Sequence, residues 1–373
     1  MGACSPDGDS ATVEIFHEDG VEVRLHRGPD VELEWTFNEA FSIRPELEGE
    51  VRFADLSPWE VGADRDGRIY VLDRTGGRVL VFGQAGRMVG TLGRPGAGPG
   101  ELSDPVALAV SAEGDVAAYD YATGGVVRWA AGGGPPDFVR PAPLFWGPEL
   151  GLASWGVIFP SVAADGRDGR TVHLVVIAET RTGVLAELEQ VTVAASFPAC
   201  GIGGIPVEPF FEPQLEWSMS GDLVAAVAGP AYSIEVSREG VPERRIEREV
   251  AERIATRELA LAEAEEGLEL TAPVRCQIPA RELVDARGFA SVIPAITNLA
   301  VAPDRSIWAE RGRVRGEERQ VDIFDPEGAY AGTLPPGSPF PVAFAGGALD
   351  YRIVSLRQTA TDETEIVAHR IAR

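Results

Sequence analysis

The feature that most constrains this chain is a strand–turn–strand grammar that recurs at a fixed interval. Residues 57–73 read as a strand, a tight turn at Asp66-Gly67 and a second strand ending at Asp73; Gly76-Gly77, the apolar run 79–82, a turn at Gly86 and a last strand over 88–92 follow. The next unit opens at Pro105 and turns at Glu113-Gly114, and Asp120 stands six residues past its glycine as Asp73 does past Gly67. Phe82 and Trp129 each follow that Asp by nine residues, and the two turn glycines are 47 apart. Four short strands in roughly 40–50 residues make a sheet that cannot bury both faces alone but can when copies stack around an axis, which is the logic of a propeller blade.

Weaker copies cover residues 148–197, 213–240 (turn at Ser220-Gly221), 294–330 (turn at Asp304-Arg305) and 341 to the C-terminus. That makes six units, the last one strand short. An open sheet edge leaves backbone groups unpaired, so an N-terminal segment is expected to close the ring. Residues 31–37 alternate polar and apolar and are the first candidate; 12–16 and 21–26 are the neighbours that fit the same role. The expected fold is all-β, a six-bladed β-propeller over 31–373 behind an N-terminal tether and closing segment at 1–30. The 43 Gly and 28 Pro fall between apolar runs as turn punctuation.

One segment breaks the strand grammar. Residues 243–266 hold no Gly or Pro, and Ile246, Val250, Ile254, Arg257 and Leu261 recur at helical spacing. Arg245–Glu249, Arg248–Glu252 and Glu249–Arg253 add opposite charges four apart. A helical insertion between blades four and five is expected, as a strap packed on a blade or a lid over one mouth.

The loop from Gly93 to Pro105 alternates glycines before an apolar residue and a proline that opens the next inner strand. It resembles the connector of NHL repeats, and Leu108-Ala109-Val110 with 116–120 continue that pattern. From about residue 30 onward the chain is similar to a bacterial group of six-bladed propellers with NHL-like repeats, many of them lipoproteins, known mainly by fold. The resemblance implies the fold and carries no agreed activity.

Charge and cysteines narrow the function classes. The net charge of −25 repels phosphate backbones and anionic lipid, so nucleic acid is not an expected partner. The chain contains no lysine, which excludes a lysine Schiff base. Met1-Gly2-Ala3-Cys4 followed by a polar tether resembles the end of a bacterial lipoprotein signal. Cys4 is then the lipidation site, the membrane is reached only through that anchor, and the location is the cell envelope, periplasmic or outer-membrane. The two remaining cysteines, Cys200 and Cys276, either pair in an oxidising compartment or stand as separate thiols, and spacing leaves both open.

For a binding site, seven places before each first turn lie Glu60, Ala107, Gln214 and Asn298, near the start of the innermost strands. The leading expectation is a non-catalytic binding or scaffold propeller for a protein, peptide or glycan, with Glu60, Gln214 and Asn298 as channel residues. The alternative is a metal-dependent hydrolase of the lactonase type, with Ca²⁺ on the axis held through Glu60 and Asn298. None of His17, His26, His173 and His369 falls at a repeated inner-strand position, and no Gly-x-Ser-x-Gly elbow is present, so no catalytic residue is assigned. Trp146 and Trp155 flank an irregular stretch where blade packing competes with carbohydrate stacking.

Overall fold

A computed structural model of the chain describes residues 12–45, 53, 56–140, 149–163, 169–177, 182–265, 267–270, 275–360 and 363–373. The described strands form a six-bladed β-propeller of antiparallel blades. From the axis outward, blade one is Val61–Ala63, Ile69–Asp73, Arg78–Phe82 and Met88–Leu92, and blade two is Pro105–Val110, Val116–Asp120, Gly125–Trp129 and Asp137–Val139. Blade three is Gly151–Ala153, Gly156–Ala163, Gly169–Ile177 and Thr182–Val191. Blade four is built on Leu215–Ser220, Leu223–Ala228, Ser233–Arg238 and Val241–Arg248. Blade five is Ile296–Val301, Ile307–Arg311, Val321–Phe324 and Tyr330–Thr333, and blade six is Ala343–Gly347, Asp350–Gln358 and Thr364–Ala372, closed by Thr36–Ile43.

The core lies between blades. Side chains alternate across a strand, so each middle strand feeds two interfaces. Ile69, Val71, Leu80 and Phe82 of blade one face Ile43, Val354, Ile366 and Ala368 of blade six. Their sequence neighbours Tyr70, Leu72, Val79 and Val81 face Leu108, Val116, Ala118 and Val127 of blade two. A strand buried on both sides reads as a continuous apolar run, which is why every residue of Ile69–Asp73 and of Val116–Asp120 is buried. The repeated aspartates staple turns: Asp73 accepts the Gly76 amide and Arg78 Nε, and Asp120 accepts the amides of Asp104 and Thr123.

Ring closure differs in register from the sequence reading. The strand that pairs with the C-terminus starts at Thr36, with Thr36 opposite Ala372 and Ile43 opposite Ile366. Residues 31–33 instead bond along the outer edge of blade five, Leu33 N–H to the Thr333 carbonyl (2.9 Å) and Thr333 N–H to the Val31 carbonyl (2.7 Å). Trp35 and Phe37 then set their rings edge-on against buried Trp308. Thr12–Glu18 and Val21–Arg27 form a hairpin that extends blade four, Val21–Arg27 lying parallel to Val241–Arg248. Alternation identified segments able to form strands but could not choose among open edges.

The expected helix over 243–266 is also corrected. Val241–Arg248 is the fourth strand of blade four, Arg253–Ile254 is a short strand, and the helix α1 is confined to Arg257–Glu263. Ile246 and Arg248, two apart, both turn inward, so a period of two won over the period of four. The charges that suggested a helix find distant partners: Arg245 pairs with Glu18, Arg248 with Asp30 and Asp322, and Arg253 with Glu317. A second helix, α2, spans Ala280–Arg287.

These pieces belong to a cap. The hairpin Val193–Phe197/Ile202–Val207 after blade three packs with α1, α2 and Cys276–Ile278 around a small core of Phe197, Phe210, Ala260, Ile278, Leu283 and Val284. Cys200 and Cys276 are disulfide-bonded, with their Cα atoms 5.6 Å apart, and so tie the insertion after blade three to the one after blade four. No described helix is long and apolar enough to cross a membrane. Cys4 and Trp146 lie outside the described residues. Trp155 packs on the apolar core shared by blades three and four.

Candidate functional site: a capped mouth of the axial channel

The innermost strands of all six blades surround a channel cavity of about 690 Å³. Its walls are mixed. Trp59, Leu108, Trp217, Met219, Leu299 and Phe344 supply apolar surface, while Glu149, Asn298, Glu310 and Arg319 gather polar groups on one side. The cavity extends to the first turns of the blades, where Arg305 of blade five reaches Asp222 of blade four (3.2 Å). A second cavity, about 460 Å³, lies where the cap meets the inner strands of blades four and five. Glu263 of α1 and Phe211 line it from the cap side; Gln214, Glu216, Asn298 and Glu310 line it from the propeller side. Asn298 and Glu310 line both cavities and mark where they adjoin.

The backbone leading into blade four is held in an unusual shape. Phe210 N–H donates to the Gly288 carbonyl (3.1 Å) and the Ala290 amide donates to the Phe210 carbonyl (2.8 Å), fixing this segment to the end of α2. Arg287 stacks on the Phe210 ring at 4.3 Å. Between these anchors Phe211 adopts φ 61°, a left-handed conformation costly for a bulky side chain. The outcome is an aromatic ring placed on the wall of the capped cavity.

Three carboxyls dominate the electrostatics of the junction. Glu310 is buried, and Arg313 Nε (2.9 Å) and Arg319 Nε (3.0 Å) both donate to it, as does the Asn298 amide (3.2 Å). Glu149 is pushed up by burial, against which the Trp217 Nε1 hydrogen bond (2.7 Å) acts weakly. Burial, reinforced by the charges of Glu149 and Glu310, raises the Glu216 carboxyl to about 8. Glu216 has no hydrogen-bond or ion-pair partner among the described residues, and it stands half-buried on the wall of the capped cavity. Nothing neutralises it, so it retains its proton near neutral pH.

The residues singled out from sequence fall in different places. Glu60 is buried but does not line the channel: its carboxylate accepts the Ser57 amide (2.9 Å) and faces Arg74 (3.5 Å), closing a capping box at the head of blade one. Gln214 is exposed on the capped cavity, accepting from Gln190 Nε2 (3.0 Å) and donating to the Glu212 carbonyl (3.0 Å). Asn298 lies at the junction of the two cavities, and Ala107 is buried. The geometry therefore brings Gln214 and Asn298 to one cavity and leaves Glu60 out, because a proline-opened turn engages the Glu60 carboxylate in its own cap. A Ca²⁺ site built on Glu60 and Asn298 does not fit these roles, and among the described residues no group of three or more His, Cys, Asp or Glu could hold a metal ion. The count back from the turns missed Glu149, Glu216 and Glu310. Two of them sat in plain view as acids inside apolar strands, Leu215-Glu216-Trp217 and Trp308-Ala309-Glu310, a local conflict that signals a buried charge.

A family model described as a 6-bladed β-propeller, DUF5128, matches residues 63–134, within blades one and two. No curated protein matches the chain. Solved structures that resemble it include a Bacteroides fragilis protein described as exported, at 12% identity and TM-score 0.48, covering 91% of this chain and 96% of that one. A DUF4221 family member from Bacteroides vulgatus has 9% identity and TM-score 0.49, covering 91% and 99%. A gluconolactonase from Xanthomonas campestris has 13% identity and TM-score 0.41, covering 92% and 97%.

Proposed function

We propose that the protein is a binding propeller of the cell envelope that takes the end of a peptide, protein segment or glycan into the capped mouth of its channel. The observation that carries this reading is the cavity between the cap and the inner strands of blades four and five. It is concave, has aromatic and apolar surface from Phe211 and Ile293, and holds polar groups that converge from separate elements, the general character of a ligand site. The Cys200–Cys276 bond supports an oxidising compartment, and lipidation at Cys4 is the proposed attachment. The Gly93–Pro105 loop is read as an NHL-like connector, and the net charge of −25 argues against nucleic acid as a partner.

A thermal-shift screen of peptides and glycan fragments against the wild type and Asn298→Trp tests it. Trp at 298 fills the place where the two cavities adjoin. Ligands that raise the wild-type Tm and leave the Trp variant unmoved are the expected result. A screen whose hits act equally on both proteins would sink the reading.

A further inference from the structure

Resting on the capped cavity being the ligand site, we propose that the group it receives is an organic cation, a primary ammonium or a guanidinium, anchored on the carboxylate of Glu216. The acids around the cavity are not equivalent. Glu310 is paired with Arg313 and Arg319, Glu263 accepts the Arg315 amide (2.9 Å) and Glu212 accepts the Val191 amide (2.7 Å). Glu216 alone of these four has no partner among the described residues, and it stands half-buried on the cavity wall. A carboxyl drawn partly out of water without a partner is costly, and a ligand that donates to it recovers that cost.

The sign of the missing partner follows from the surroundings. The cavity wall carries four carboxyls, at positions 212, 216, 263 and 310, against two guanidiniums, at 313 and 315. Of those two, Arg313 is committed to Glu310 and Arg315 has interactions of its own. Glu149, on the channel side, adds a further negative field at Glu216. With Glu310 offset by Arg313 and Arg319, the carboxyls at 212, 216 and 263 still favour a cation over an anion. Since three or more ligating side chains are not gathered here among the described residues, a hydrogen-bonded organic cation fits better than a coordinated ion. Phe211, Ile293 and Pro294 offer apolar surface for the carbon stem of such a group.

Binding must then release a proton. The Glu216 carboxyl loses its proton to solvent, and the N–H groups of the incoming cation take its place. Because that carboxyl titrates at about 8, cation affinity rises about tenfold per pH unit below that value and levels off above it.

The test uses the full chain and simple probes: pentylamine, pentylguanidine, pentan-1-ol and hexanoate, titrated by ligand-observed NMR and calorimetry at pH 6.5, 7.5 and 8.5 (about one unit steps below and across the titration). Both cations are expected to bind at least about tenfold more tightly than the alcohol or the carboxylate, with proton uptake by the buffer at pH 7.5. Glu216→Gln is expected to lose about tenfold or more of that affinity while its circular dichroism is unchanged. Equal binding of pentylamine and pentan-1-ol, no cation binding, or full cation binding by Glu216→Gln would each overturn the proposal. Peptide or glycan ligands that Asn298→Trp abolishes but Glu216→Gln does not would remove the cation and leave the cavity as the site. The absence of any ligand sensitive to Asn298→Trp would remove the site itself.

Discussion

Cys200 and Cys276 are bonded across 76 residues of sequence, one in the insertion after blade three and the other in the insertion after blade four. The bond holds together a cap whose apolar core is separate from the interblade cores. Cys200→Ser with Cys276→Ser is expected to weaken the cap by about 2–4 kcal/mol. Limited proteolysis should show faster cleavage within 193–207 and 253–293, with the blades still protected. Unchanged protection there would mean that packing alone holds the cap.

Glu216 gives the protein a pH signature independent of any ligand. Its folded-state titration near 8 lies above the usual carboxylate range, so the folded protein binds a proton that the unfolded chain has already lost. That contribution is complete below pH 4.5 and is lost as pH rises through 8. Glu216→Gln lacks the penalty. Its Tm is expected to match the wild type near pH 4.5 and to exceed it by about 2 °C or more above pH 8. Thermal melts across pH 4–9 check this, and a constant difference across that range would refute it.

Asp322 anchors the junction of blades four and five to the N-terminal segment. Fully buried, it accepts Tyr232 Oη (2.7 Å), Thr333 Oγ1 (2.6 Å), Arg248 Nη1 (3.2 Å) and two bonds from Arg311 (2.9 Å each). Both arginines also grip Asp30, whose carboxyl they hold down at about 2. Asp322→Asn leaves these guanidiniums with one anion, and a loss of about 3–5 kcal/mol is expected in urea unfolding. Asp30→Asn, at a more exposed site, should cost less.

Ring closure predicts a contrast between two isoleucines near the N-terminus. Ile43 is buried where the N-terminal strand meets blade one and the C-terminal strands, whereas Ile15 is 52% exposed on the outer hairpin of blade four. Ile43→Ala is expected to cost about 2–4 kcal/mol. Ile15→Ala should stay within about 0.5 kcal/mol. Equal costs by chemical denaturation would mean that the closing strand is not what seals the ring.

The blade number and the first turns at Gly67, Gly114, Gly221 and Arg305 were legible because each blade solves the same local problem. A period-two strand and a turn needing φ > 0 leave their mark within a few residues, and even Arg305 keeps the turn at φ 69°. What tertiary structure decided was pairing between distant segments. Alternation made 31–37, and after it 12–16 and 21–26, able to form strands, and the free edges of blades four, five and six distributed them. The run 243–266 became strand up to Arg248 because Ser233–Arg238 and Val21–Arg27 supply hydrogen-bonding neighbours on both sides, which no local signal records. The site followed the same rule. Asn298 and Gln214 reached a cavity because their strands begin at the axis, but Glu216 acquired its character only when the cap and the carboxyls of Glu149 and Glu310 surrounded it. Burial and long-range charge are sums over the whole fold, so a sequence can show where an acid interrupts an apolar strand and not what will stand opposite it.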